Sequence, residues 1–220
     1  KKPPRTPGAA RWSAADAVLI DEAAGLIERT PSYGHVVIDE AQDLSAMQCR
    51  AIARRSEHGS LTLLGDLAQG TAPWAATDWA EHLRHLGKPS APVVALTVGF
   101  RVPAAVIALA NKLLPVLGTA VPEARSLRGD GTLAVHKVSD IDAAVVREAR
   151  TALAYPGSIA VICADTSTGR LVTALAEAGI PAGTPDEAES TARGIMVPAS
   201  LAKGLEYDHV VVVEPAAIVA

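Results

Sequence analysis

Four short runs in this sequence hold the side-chain types that phosphoryl chemistry uses. The first is Val36-Val37-Ile38-Asp39-Glu40-Ala41-Gln42-Asp43. A carboxylate just past an apolar strand can hold Mg2+ through water. A second one beside it can orient or deprotonate a water that attacks a γ-phosphate. For Asp39-Glu40 by themselves, the competing explanation is two acids in the first turn of a helix, stabilised by its dipole. The second run, Leu61 to Gln69, leaves an apolar strand through Gly65-Asp66. Gly65 permits a tight turn, Asp66 can cap that turn or join a metal's shell, and Gln69 is a neutral sensor for a terminal phosphate. Gly-Asp after a strand also marks a plain turn.

The third run, Leu96 to Pro103, sets Arg101 between a strand and a helix. A guanidinium there can reach transition-state charge across a cleft, or simply lie on the surface. The fourth runs from Val197 to Asp208 and contains Ser200, Lys203, Gly204 and Glu206. Lys203-Gly204 would put a cation and a backbone N–H near phosphate, leaving the Glu206 carboxylate for a ribose hydroxyl. An ordinary loop before a strand is the alternative.

The elements that must position these runs follow from periodicity. Ser13 reads as the cap of an amphipathic helix reaching to about Arg29, and Pro31–Gly34 as a turn. Strands are expected at His35–Ile38, Leu61–Leu64 and Val93–Leu96, with helices over 45–55 and from about Thr77 to Leu86. A helix from Pro103 to about Leu117 starts on proline, whose missing N–H costs nothing at that position. After a loose stretch, Ala120–Gly131, strands are expected at Leu133–Val138, Ser158–Cys163, Gly194–Val197 and His209–Val213. Helices are expected at Asp140–Ala154 and Ser167–Ala178. Short β-branched runs alternating with helices predict an α/β chain with parallel sheets, and ligands of such sheets gather beyond the carboxyl ends of the strands.

The 220 residues allow one or two domains, and a boundary near 97–100 would divide the chain into two α/β units. Residues 1–11, with Pro3, Pro4, Pro7 and Gly8, read as linker. A net charge of −4 argues against a basic nucleic-acid arm but not against a local basic groove. Two cysteines, Cys49 and Cys163, make no disulfide framework and fit buried thiols of a reducing compartment. No apolar run approaches a membrane span and the N-terminus has no signal-peptide pattern, which predicts a soluble, cytoplasmic protein with no membrane partner. The start without Met and the apolar end at Ala216–Ala220 predict an excised piece.

Taken in order, the four runs resemble the motifs of superfamily 1 helicases of the UvrD/Rep type. DEAQD at 39–43 matches motif II, GDLAQ at 65–69 motif III, GFR at 99–101 motif IV, and AKGLEYD at 202–208 motif V. The resemblance covers about residues 35–214. LLGDLAQGTAPW and PASLAKGLEYDHVVVVEP are most similar to actinobacterial HelD-type proteins, the ATP-driven factors that recycle RNA polymerase. The resemblance implies two RecA-like domains of the P-loop NTPase type, both incomplete: residues 12–98 with motifs II and III, and 99–220 with motifs IV and V. It implies ATP and Mg2+ as cofactors, and bacterial cytoplasm as the location. Asp39 and Glu40 would lie at the Mg2+, Asp39 binding it and Glu40 also acting as catalytic base. Gln69 would couple nucleotide state to movement and Arg101 would be an arginine finger. Gly204 would lie near the phosphates and Glu206 near the sugar.

Four features depart from the family pattern. GFR lacks the preceding Asn, and GLEYD stands for GLEFD. No G-x-x-x-x-G-K-[ST] occurs, since the single Gly-Lys pair, Gly87-Lys88, is followed by Pro89 with His82 in the first glycine's place. Motif VI is also missing, so this piece alone is predicted not to turn over ATP.

Trp74 and Trp79 follow motif III, where related helicases place a base-stacking aromatic, although core anchoring also fits. Arg125 and Arg128 are candidates for contact with DNA, RNA or the polymerase, as is Ser200. His82 and His85 read as a solvated helix face, and Arg50, Arg54 and Arg55 as the polar face of the helix after DEAQD. Two rivals share these residues. One is a DNA helicase or translocase, the other an RNA polymerase interaction module with vestigial ATPase residues.

Overall fold

A computed structural model of the chain describes residues 6, 8, 10–183 and 194–219. The 1–11 linker lies mostly outside the described residues. The chain is α/β with parallel sheets and divides into two compact units, Lys1–Ala134 and Val135–Ala220. The boundary expected near 97–100 therefore falls inside the first unit.

The first unit opens with α1 (Ala14–Ile27), which begins where Ser13 and Asp16 form a reciprocal capping box. β1 (Val36–Ile38) follows, then α2 (Ala46–Arg55), capped in the same way by Ser45 and Gln48, and then β2 (Leu61–Leu63). β1 and β2 pair in parallel, Val36 opposite Leu61 and Ile38 opposite Leu63. Both strands therefore end at one edge, and short 3-10 turns, Ala41–Asp43 and Leu67–Gln69, follow there. α3 (Trp79–His85) starts at Asp78, whose carboxylate accepts the Ala80 N–H. Beyond it come β3 (Val98–Gly99), α4 (Ala104–Leu117) and β4 (Arg125–Ser126), with β3 and β4 parallel. Gly118 ends α4 in the left-handed conformation that glycine adopts without a Cβ clash.

Two expected strands are absent. Val93–Leu96 and Leu133–Val138 are apolar but find no neighbouring edge, and a strand exists only through its ladder. Leu96 is 84% exposed, and residues 127–140 are exposed throughout. The pairing in this part of the chain falls instead on Val98–Gly99 and Arg125–Ser126, the latter inside the stretch expected to be loose. His82, expected on a solvated face, is only 4% exposed, because α3 turns it inward with Leu83.

The second unit is built on one four-stranded parallel sheet. Its members are β5 (Ile159–Cys163), β6 (Ala182–Gly183), β7 (Gly194–Pro198) and β8 (His209–Val212), in the order β6-β7-β5-β8. Helices α5 (Ile141–Leu153) and α6 (Thr168–Glu177) pack on it, and a short α7 (Pro215–Ile218) follows β8. Val145, Ala149, Val161, Leu171, Leu175 and Met196 form its core. β5 is buried at four of its five positions, as a near-continuous apolar run predicts for a central parallel strand. Among the described residues no helix is long and apolar enough to cross a membrane.

Candidate phosphate-chemistry site

The carboxyl edge of β1–β2 gathers the residues of the first two runs. Ile38 is the last residue of β1, so Asp39 and Glu40 emerge side by side and exposed. Leaving the strand there requires a sharp turn, and Glu40 makes it in the left-handed region at φ 53°, ψ 34°. That conformation is uncommon for a residue with a Cβ and clusters at functional sites. The turn is held by the Glu40 N–H donating to Asp39 Oδ1 at 2.8 Å, and by the Ala41 N–H donating to the Leu64 carbonyl at 3.0 Å.

Gln42 joins the two strand exits. Its side chain is fully buried. Its Nε2 donates to Glu40 Oε2 at 2.8 Å, while its Oε1 accepts the Asp66 N–H at 3.0 Å. A buried amide must satisfy both ends, so this single residue fixes the Glu40 carboxylate and the start of the second turn together. Gly65 makes that approach possible. A Cβ there would stand 2.6 Å from Gln42 Oε1 and 2.8 Å from the Trp79 ring. Asp66 then caps its own turn, accepting the Ala68 N–H at 2.9 Å and the Gln69 amide at 2.7 Å.

Asp43 organises the next loop. Its carboxylate accepts the Thr71 and Ala72 N–H groups at 2.9 and 3.1 Å, and its carbonyl accepts the Trp74 indole N–H at 2.9 Å. Trp74 is thereby oriented while 56% exposed. Trp79 is half-buried against Gly65, with His82 edge-on at 6.3 Å between ring centroids. Its packing is that of an anchor. Asp39, Glu40 and Gln69 stand out in the sequence as site candidates, whereas Gln42 and Asp43 do not. An amide and an acid inside DEAQD, beside small and apolar residues, were the available signal for a buried connector.

Arg101 is exposed on a different strand pair, past the end of β3. Arg128 donates to its carbonyl from Nη1 at 2.8 Å and to Asp130 Oδ1 from Nε at 3.0 Å, so part of the Arg128 guanidinium holds this loop. The Asp130 carboxyl is lowered below its ordinary range by that hydrogen bond. Arg125 is exposed within β4, opposite Val98.

In the second unit, Ser200, Lys203, Gly204 and Glu206 lie on the connection from β7 to β8. Gly204 has φ +77° and open space around it, and Glu206 is exposed. Ser200 donates through its hydroxyl to Asp165 Oδ2 at 2.6 Å and through its N–H to Oδ1 at 3.2 Å. These bonds hold the Asp165 carboxyl below its usual range.

Mg2+ commonly takes one or two carboxylates and several waters. Asp39, exposed at a strand exit with one oxygen anchored by a backbone N–H, fits that donor pattern. Among the described residues no group of three or more His, Cys, Asp or Glu could hold a metal ion. Comparison with known proteins finds no matching family model and no matching curated protein.

Proposed function

We propose that this chain is part of an ATP-hydrolysing motor of the superfamily 1 helicase type, built on RecA-like domains, that binds RNA polymerase and drives its release from nucleic acid. One observation supports this most: the Asp39-Glu40 and Gly65-Asp66-Gln69 exits share one parallel-strand edge and are tied together through buried Gln42. Asp39 would hold Mg2+, which when bound neutralises charge on the phosphates. Glu40, steadied by the Gln42 amide, takes the proton of the attacking water. Gln69, fixed on Asp66, links the terminal phosphate to the following loop. Through Asp43, that loop sets the exposed Trp74 ring, which offers a face to an unpaired base. Arg101 supplies positive charge from β3, and Gly204 and Glu206 serve the phosphates and the sugar.

The intact protein tests the partner directly. Retention of the protein on immobilised core RNA polymerase, with ATP-dependent loss of bound DNA from the complex, is the expected result. Unwinding of a tailed duplex without polymerase, and no retention on it, would favour a translocating helicase. Retention that survives loss of Asp39, Glu40 and Arg101 together, with no nucleotide dependence, would favour an interaction module.

A further inference from the structure

The connection from β7 to β8 crosses from one side of the central strand β5 to the other. Parallel strands are usually joined by a helix, whose packing fixes the crossover. Here the crossover, residues 199–208, contains only a 3-10 turn at Ala199–Leu201 and a turn around Gly204. It must still travel the length of β5, on the order of 15–20 Å at about 3.3 Å per residue. Two Ser–Asp pairs pin it, one at each end of β5. At the carboxyl end, Asp165 accepts both the hydroxyl and the N–H of Ser200. At the amino end the roles reverse. Asp208 Oδ2 accepts the N–H of Ser158 at 2.7 Å and its hydroxyl at 2.9 Å, and the Asp208 N–H donates back to Ser158 Oγ at 3.1 Å. Gly157 makes this second pair possible, since a Cβ at that position, where φ is +116°, would stand 2.6 Å from the Asp208 Cβ.

We propose that Asp165 and Asp208 are positioning residues that stretch this crossover across β5 as a strap, and thereby set Lys203, Gly204 and Glu206 for a nucleotide. The role for nucleotide rests on the reading under Proposed function; the strap itself does not. Each clamp uses a carboxylate that accepts two donors from one serine, so its loss removes both bonds at once and leaves that end held by the neighbouring strand ladder and the strap's internal turns.

Amide hydrogen exchange on the chain tests the strap. In Asp165→Ala, exchange of amides 201–206 should rise at least about tenfold, the scale of losing hydrogen bonds to a charged acceptor, while β5 stays protected. Ser158→Ala should loosen the amino-end side of the strap, and Ser158→Thr, which keeps both donors, should restore protection. Unchanged exchange in Asp165→Ala and Ser158→Ala overturns the strap. In the intact protein, Asp165→Ala should raise KM for ATP several-fold more than it lowers kcat. Loosened amides with an unchanged KM overturn the nucleotide role. Retained hydrolysis in Glu40→Gln would instead overturn the reading on which that role rests.

Discussion

Under the proposed function Glu40 meets two demands at once, a carboxylate for chemistry and a left-handed backbone that glycine would adopt more easily. The neighbouring residues meet the second demand: Asp39 and Leu64 hold the turn, and Gln42 holds the side chain. Gly65 is the position where this arrangement is least tolerant. Alanine there collides with Gln42 and Trp79, two groups that cannot both move without breaking the link to Glu40 or Asp66. Gly65→Ala is therefore expected to destabilise the first unit by about 1–3 kcal/mol in denaturant unfolding, the usual range for an overpacked site. A change within a few tenths of a kcal/mol would show that Trp79 does not press on this turn. The types at 39, 40, 65, 66 and 69 were legible in the sequence because strand exits followed by acids, glycine and amide form a pattern. The role of Gln42 was not, because a buried bridge depends on which exits stand side by side, and pairing between β1 and β2 is not written locally.

At the scale of elements, charge does work that apolar packing does not. α1 buries none of its residues fully, and Leu26 and Ile27 stand exposed at its end. It is joined to α2 through Asp21 and Glu22, which meet Arg50, Arg54 and Arg55. Hydrogen bonding from Arg55, with Arg54 alongside, holds the Asp21 carboxyl well below the usual carboxylate range, against an opposing contribution from burial. The folded value lies below the unfolded one, about 3.9. The stabilisation is thus present above pH 4 and is lost as pH falls through the folded value. Asp21→Asn should lower the melting temperature at pH 7, and the gap from wild type should close as pH falls from about 4 toward 2. A gap that stays constant across this window would show that the carboxylate contributes no charge to the α1–α2 contact.

Helices were the most legible elements. Ser13, Ser45 and Asp140 each accept the N–H three residues on, at the cap that opens α1, α2 and α5. Strands were less so. Val93–Leu96 and Leu133–Val138 have strand composition and no ladder, whereas β3, β4 and β6 are two-residue strands with too little pattern to show. Strand composition describes a surface that fits a sheet, and the partner edge decides whether a sheet forms.

Across the whole molecule, the residues that the proposed function uses fall in both units: Asp39, Glu40, Gln42 and Arg101 in the first, Gly204 and Glu206 in the second. Burial separates two further groups from that chemistry. Cys49, fully buried in α2, has its thiol pushed up to about 11 by burial, which suits packing and not nucleophilic work. His82, enclosed behind Trp79, likewise belongs to the support of the site. In the proposed function, hydrolysis rests on one carboxylate, Glu40, and nucleotide and metal binding on its neighbours. The most direct test is Glu40→Gln in the intact protein, with equilibrium nucleotide binding and steady-state phosphate release measured on the same preparation. The proposed function predicts ATP affinity within a few-fold of wild type and a kcat lower by at least about 100-fold, the scale of general-base catalysis. Hydrolysis at the wild-type rate, or loss of binding equal to the loss of turnover, would contradict it.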